Sequence, residues 1–307
     1  MTDLDTLLDG IPVLTGQGRH VTPLPGGLTN HNYRVRTDGG LDVVVRISSP
    51  DTGLLGVDRH AEHTNTLAAA AAGVGAPVVD YLQGRGVMVV GFLAGRTWGD
   101  ADVAENPVRL AAALRRLHAG PAFLGRFDMF ALRSQYLSVV RDRGFRMPSA
   151  YLALEPQVER VRAVFARAPE ELVPCHNDLL AANVLDDGGD LRIIDYEYSG
   201  MNEPSFELGN TAAEAHLDAD HLADLCAAYY GPDTDAAHLD SLVARAELWG
   251  FVARYGWTLW GMIQEGTSSI EFDFWEWSMD KWEPAQSLAK SARFEQLLAR
   301  AAGESGR

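Results

Sequence analysis

Cysteine, basic residues and long apolar runs are all scarce in this chain of 307 residues. Its two cysteines, Cys175 and Cys226, cannot make a disulfide scaffold, and such thiol usage reads as intracellular and cytoplasmic. No CxxC or HExxH spacing occurs, which disfavours zinc. The longest apolar run lies near Val87 to Ala94, far short of the roughly 20 residues of a membrane span, so no membrane insertion is expected. The start, Met1-Thr2-Asp3-Leu4-Asp5, has no basic segment followed by an apolar one, and no signal peptide is expected there. Lys and Arg number 26 against 42 Asp and Glu, a formal net charge of −16. That sign repels phosphate backbones and anionic membrane surfaces, so nucleic acid is not an expected partner. A small cationic substrate suits it.

What is present is globular: 47% hydrophobic, 22% charged and 9% aromatic residues. The length suits two domains or one bilobal unit. Strand signals fill residues 1–92. Val21 to Leu24, the Pro25-Gly26-Gly27 turn and Tyr33-Arg34-Val35 read as a hairpin, and Leu41 to Ile47 is a β-branched run. Arg59 to Ala72 is Ala-rich and closed by Gly73, which predicts one helix. Val78 to Tyr81 and Gly86 to Val90 predict two further strands. Residues 93–307 are mostly helical in pattern: a helix from Asn106-Pro107 to Gly120, another over Tyr151 to Ala168, and helices from Ser205 onward. A hairpin interrupts them, Val184-Leu185 to Leu191–Ile194. The fold class is α+β, a small sheet lobe with one helix followed by a larger, mainly helical lobe.

The segment Cys175-His176-Asn177-Asp178-Leu179-Leu180-Ala181-Ala182-Asn183, with Ile194-Asp195-Tyr196 after the hairpin, carries the chemistry. The hairpin returns Asp195 close to Asn183, so two carboxylates and one amide oxygen gather at one end of a ribbon. Phosphoryl transfer needs this set: hard oxygen ligands for Mg²⁺, and a further Asp to receive the proton of the attacking hydroxyl. His-x-Asp-x₄-Asn followed by Asp is the kinase-type spacing.

With these residues the chain resembles the choline/ethanolamine kinase branch, including LicA-type bacterial choline kinases, of the aminoglycoside-phosphotransferase-like fold. The run Ile194-Asp195-Tyr196-Glu197-Tyr198-Ser199-Gly200 is similar to that family's post-hairpin signature. The resemblance implies a bilobal protein-kinase-like fold, with residues 1–92 as the nucleotide lobe and 93–307 carrying the catalytic loop and substrate pocket. It implies Asp178 as catalytic base and Asn183 and Asp195 as Mg²⁺ ligands. It also marks one departure: the family usually has Asp where this chain has Glu207, at the position that braces the catalytic loop.

In the first lobe, a Gly-Gly turn alone reads as a plain hairpin turn. Its likeness to the family's Gly-Gly-x-Thr-Asn phosphate loop implies phosphate binding by Gly26, Gly27, Thr29 and Asn30. Arg46 ends the strand Val43-Val44-Val45, and the helix that follows holds Glu62. Kinases set a strand cation against a helix Glu to hold the α- and β-phosphates of ATP, so Arg46 and Glu62 are the expected pair. Val87 to Leu93 resembles the hinge between lobes, which implies adenine contacts through backbone near Gly91 and Leu93.

Six of the seven tryptophans fall between Trp249 and Trp282. Helix packing explains such a cluster, and so does an aromatic cage for a quaternary ammonium group. The resemblance selects Trp257 and Trp260, at i and i+3, and Trp277 as cage rings, with Glu214 near the ammonium. Trp98 and His118 are assigned to packing and His216 to the surface. The expectation is an ATP- and Mg²⁺-dependent kinase converting choline to phosphocholine. Its rivals are a kinase for ethanolamine, an aminoglycoside or another amino alcohol, and a catalytically silent binder of quaternary ammonium compounds.

Overall fold

The computed structural model describes residues 4–303 except 26 and 49. A short helix, α1 (Leu4–Asp9), precedes the strands β1 (Arg19–Leu24), β2 (Asn30–Thr37) and β3 (Asp42–Ser48). Helix α2 (Arg59–Ala71) follows, then β4 (Val78–Leu82) and β5 (Val87–Gly91). These strands form one sheet in the order β1-β2-β3-β5-β4, with every neighbouring pair antiparallel. Side-chain alternation gives its two faces different tasks. Val43, Val45, Val87 and Val89 enter a core with Leu8 and Leu14. Val44, Arg46, Met88 and Val90 line a cavity. The sequence pattern predicts one helix here; α1 is a second, six residues long and too brief to show a period.

Asp58 caps α2 by accepting the His60 and Ala61 N–H groups, and Gly73 follows the helix at φ +73°. The tail of α2 packs into the helical part, since Ala69 and Val74 share a core with Leu110, Leu114 and Leu208. The chain continues through β6 (Arg96–Thr97), α3 (Asp100–Glu105), α4 (Pro107–His118), α5 (Met129–Arg143) and α6 (Glu155–Arg167). Then come β7 (Val173–Cys175), β8 (Val184–Asp186), β9 (Arg192–Ile193) and β10 (Gly200–Asn202). The last helices are α7 (Pro204–Glu214), α8 (Ala219–Tyr230), α9 (Ala236–Thr267), α10 (Phe274–Ala289) and α11 (Ala292–Ala301).

The helix expected over Tyr151 to Ala168 is split. A 3-10 turn, Tyr151–Leu154, precedes α6, because Pro156 lacks an N–H and suits only a first helical turn. Helix α9, 32 residues long, is the axis of the helical part. Its backbone meets α7 so closely that a Cβ on Gly209 would lie 1.9 Å from the Ala246 carbonyl oxygen. No described helix is long and apolar enough to cross a membrane.

Candidate active site

Strands β7 and β10 pair antiparallel, with Cys175 opposite Gly200, and the chain between them carries the kinase-type residues. Asn177 and Asp195 both adopt left-handed backbone, at φ +67° and +73°. Such strain persists only where surrounding bonds over-determine it. Around Asn177 they do: its Nδ2 donates to the carbonyls of Cys175 and Tyr198 (3.1 Å each), and its Oδ1 accepts from Asn202 (2.9 Å). His176 Nε2–H donates to Ile194 O (2.8 Å), while its Nδ1 accepts the Asp178 N–H (3.3 Å). These two bonds tie the loop that carries Asp178 to the strand leading into Asp195. Ile194 N–H also donates to Asn183 O (3.0 Å), and so the hairpin returns Asp195 beside Asn183. Glu207 accepts the backbone N–H groups of His176 and Asn177 with its two oxygens. The longer side chain therefore still braces the loop.

Asp178, Asn183 and Asp195 line one cavity of about 670 Å³ with Gly27, Thr29 and Arg46. Gly91, Leu93, Glu214, Trp257, Trp260 and Trp277 line it too. Two expected residues do not: Asn30 borders a separate small hollow, and Glu62 stands behind Arg46. Gly26 lies outside the described residues. Gly27 holds φ +88°, a left-handed turn that glycine accepts without penalty.

Arg46 is 8% exposed and reaches three carboxylates: Glu62 at 3.1 Å, Asp195 at 2.6 Å and Glu197 at 2.9 Å. Burial opposes its charge, and the three acids together outweigh burial and hold the proton on. Arg59 joins the group through Glu62 (2.6 Å) and Glu197 (3.3 Å). Glu197 also accepts from the Thr29 hydroxyl (3.0 Å) and Asn30 Nδ2 (3.0 Å). Asp178 is pushed well above the usual carboxylate range, first by burial, then by Glu214, Glu197 and Asp195, against the opposing pull of Lys281. At the end of β5, Gly91 N–H is committed to Pro77 O (2.8 Å) and Phe92 N–H to Asp42 O (3.1 Å).

The aromatic end is built by α9 and α10. Trp257 Nε1 donates to Asn210 (2.9 Å) and Trp260 Nε1 to the Tyr198 hydroxyl (2.9 Å). Trp260 and Trp277 lie 5.1 Å apart, as do Tyr198 and Trp257. Gly261 permits this closeness, since a Cβ there would meet Ser278 Oγ at 1.9 Å and Trp277 at 3.0 Å. The packing explanation holds for other rings: Trp249 bonds Glu203 within the core, and Trp282 lies against Tyr151. Trp98 is buried and donates to Asp186, His118 is buried, and His216 is exposed against Asp280 and Asp100. The sequence pattern gives no role to Tyr198, Glu197 or Lys281, although the first two stand in the Ile194–Gly200 run, the one local signal for them.

Residues 20–239 match the model of the phosphotransferase enzyme family. The chain belongs to that family. A solved choline/ethanolamine kinase family protein from Mesorhizobium loti is 30% identical, covers 97% of each chain and superposes with a TM-score of 0.82. Within the phosphotransferases, this chain is therefore a member of the choline/ethanolamine kinase branch. Protein LicA of Haemophilus influenzae is 30% identical over 254 residues, 78% of this chain and 72% of its own. Ethanolamine kinase 1 of mouse is 26% identical over 269 residues, 76% and 73% of the two chains. The enzyme is thus a kinase-like phosphotransferase with an alcohol acceptor.

Proposed function

We propose that this phosphotransferase moves the γ-phosphoryl group of ATP to the hydroxyl of choline. One observation carries the reading: a single cavity is lined by an Arg46–Asp195–Asn183 group, by Asp178 and by three Trp rings. The first suits phosphates and a metal, the second an acceptor hydroxyl, and the third a cation without N–H groups.

Asn183 and Asp195 offer hard oxygen donors, which fits Mg²⁺. Asp195 lines the cavity with its carboxylate, and its Oδ1 is held by Arg46 at 2.6 Å, a contact a metal ion would compete for. When bound, Mg²⁺ would neutralise charge on the phosphates. The need is visible in the local balance, where Arg46 and Arg59 face Glu62, Asp195 and Glu197, and a bare triphosphate would meet excess negative charge. Arg46 would exchange carboxylate contacts for phosphate oxygens, and the Gly27–Thr29 turn would cover them. Adenine would take backbone contacts at Leu93, the hinge residue beyond the committed Gly91 and Phe92 N–H groups.

Asp178 would orient the choline hydroxyl and take its proton as the oxygen attacks. A carboxylate pushed upward by burial and neighbouring acids holds a proton more firmly, which suits that task. Trp257, Trp260, Trp277 and Tyr198 would face the trimethylammonium group with their π surfaces, and Glu214, paired with Lys281, would stand beside them.

ADP release measured across choline, ethanolamine, betaine and aminoglycosides tests the reading. Choline is expected to give the highest kcat/KM. A clear preference for ethanolamine or an aminoglycoside would replace it, and tight choline binding without turnover would leave only a binding protein.

A further inference from the structure

Lys281 is 3% exposed, an uncommon place for an ammonium group. Its Nζ lies 2.8 Å from Glu214 Oε2 and 5.0 Å from the centroid of the Trp277 ring. Glu214 and Trp277 both line the cavity, whereas Lys281 does not and stands behind them. Glu214 is itself 6% exposed, and its other oxygen, Oε1, has no hydrogen-bond partner among the described residues. Asp280, 3.5 Å from Lys281, meets His216 Nε2 with both oxygens, at 3.0 and 3.3 Å. Arg254, the other cation near Glu214, spends a hydrogen bond on Ala213 O.

A primary ammonium carries three N–H donors and needs acceptors. In this cavity it would seek a carboxylate and a ring face. Lys281 is such a group, already on both. A quaternary ammonium has no N–H, its methyl groups hold it away from any oxygen, and it depends on ring faces instead. Tying up Oε2 therefore handicaps the first kind of substrate and barely touches the second.

We propose that Lys281 sets the substrate class of this enzyme: by engaging Glu214 it turns the pocket from a carboxylate site for primary ammonium groups into an aromatic site for quaternary ones. The inference rests on the choline reading and assigns its specificity to one residue.

The test measures kcat/KM for choline and for ethanolamine in the wild type, Lys281→Met and Lys281→Arg. In folded Lys281→Met the choline-to-ethanolamine ratio is expected to fall about tenfold, chiefly through a lower KM for ethanolamine, the scale of one charge-assisted hydrogen bond. Lys281→Arg should bring the ratio back toward wild type. A purely structural role would move both substrates together, so a ratio in Lys281→Met within about twofold of wild type overturns the proposal. Should that variant fail to fold, the double variant Glu214→Gln/Lys281→Met carries no orphaned charge. It should leave the ratio within about twofold of wild type, since a Glu214 already engaged by Lys281 gives ethanolamine little to lose, and a rise of about threefold or more overturns the proposal. A wild type that turns over neither amino alcohol refutes the choline reading itself, and the inference falls with it before any variant is made.

Discussion

At the Arg46 end of the cavity, charged side chains hold one another. Arg46 and Arg59 are shared among Glu62, Asp195 and Glu197, and Glu197 also holds Thr29 and Asn30. At the Trp end, rings are fixed by packing and by indole N–H bonds to Asn210 and Tyr198, with the Lys281–Glu214 pair behind them. The first end is assembled from contacts a phosphate or a metal can take over, one for one. The second is formed in advance, with no comparable exchange to make. An enzyme whose nucleotide arrives with its own charges can leave that end to be completed by the ligand. On the proposed choline reading, a quaternary ammonium brings no donors to organise its pocket, so the protein must supply the shape.

Asp178 belongs to neither end, and its removal should have the largest effect. Asp178→Asn should lower kcat by at least about 10²–10⁴-fold while ATP affinity stays nearly unchanged. Single-turnover kinetics with nucleotide titration would show it. Near-wild-type turnover would sink the proton-acceptor role.

Asp195→Ala breaks the exchangeable end. It removes the carboxylate proposed for the metal and one of the three on Arg46. Mg²⁺-dependent ATP binding should be lost, while binding of choline alone should persist. Calorimetry that returned unchanged Mg·ATP affinity would refute the ligand assignment.

Trp277→Ala probes the preformed end. Its ring is only half-buried and no indole N–H bond is formed among the described residues, unlike Trp257 and Trp260. It should raise the KM for choline about 5–30-fold and spare that for ATP, the size of one desolvated cation–π contact. Trp257→Ala should behave differently and lower kcat as well. Asn210 takes the Trp257 indole and donates to Asn177 O at 3.3 Å, so that ring is joined to the loop that carries Asp178. Equal losses of choline and ATP affinity in folded Trp277→Ala would make the ring mere core.

How far the sequence reached follows the range of each contact. Short-range structure was readable: the β-branched run of β3, the Ala-rich α2, and the hairpin that returns Asp195 to Asn183. The Ile194–Gly200 run contained Glu197 and Tyr198, but not their tasks. Those depend on partners far along the chain: Glu197 meets Thr29 across 168 positions, and Lys281 meets Glu214 across 67. No local pattern encodes such pairs. Helix α5 escaped for another reason. Its apolar residues are spread around the helix, and Arg133 is buried among them, so no stripe announces it.

The smallest effect is expected at Glu207, which serves both ends by bracing the loop between them. Its two oxygens accept the His176 and Asn177 N–H groups, and its carboxylate lies 3.6 Å from His118 Nε2 in a fully buried setting. Glu207→Asp restores the residue usual in the family but removes a methylene from a space shaped around Glu. A shorter side chain in this backbone keeps one strong N–H bond and lengthens the other, a loss of about 1 kcal/mol, with a similar amount for the void. The melting temperature should drop by a few degrees. Turnover should fall less than about tenfold, because the left-handed Asn177 keeps its own bonds to Cys175, Tyr198 and Asn202. Thermal melts and kcat on the same preparation decide it. A fall beyond about a hundredfold with an unchanged melting temperature would mean that Glu207 acts on the chemistry and not only on the loop.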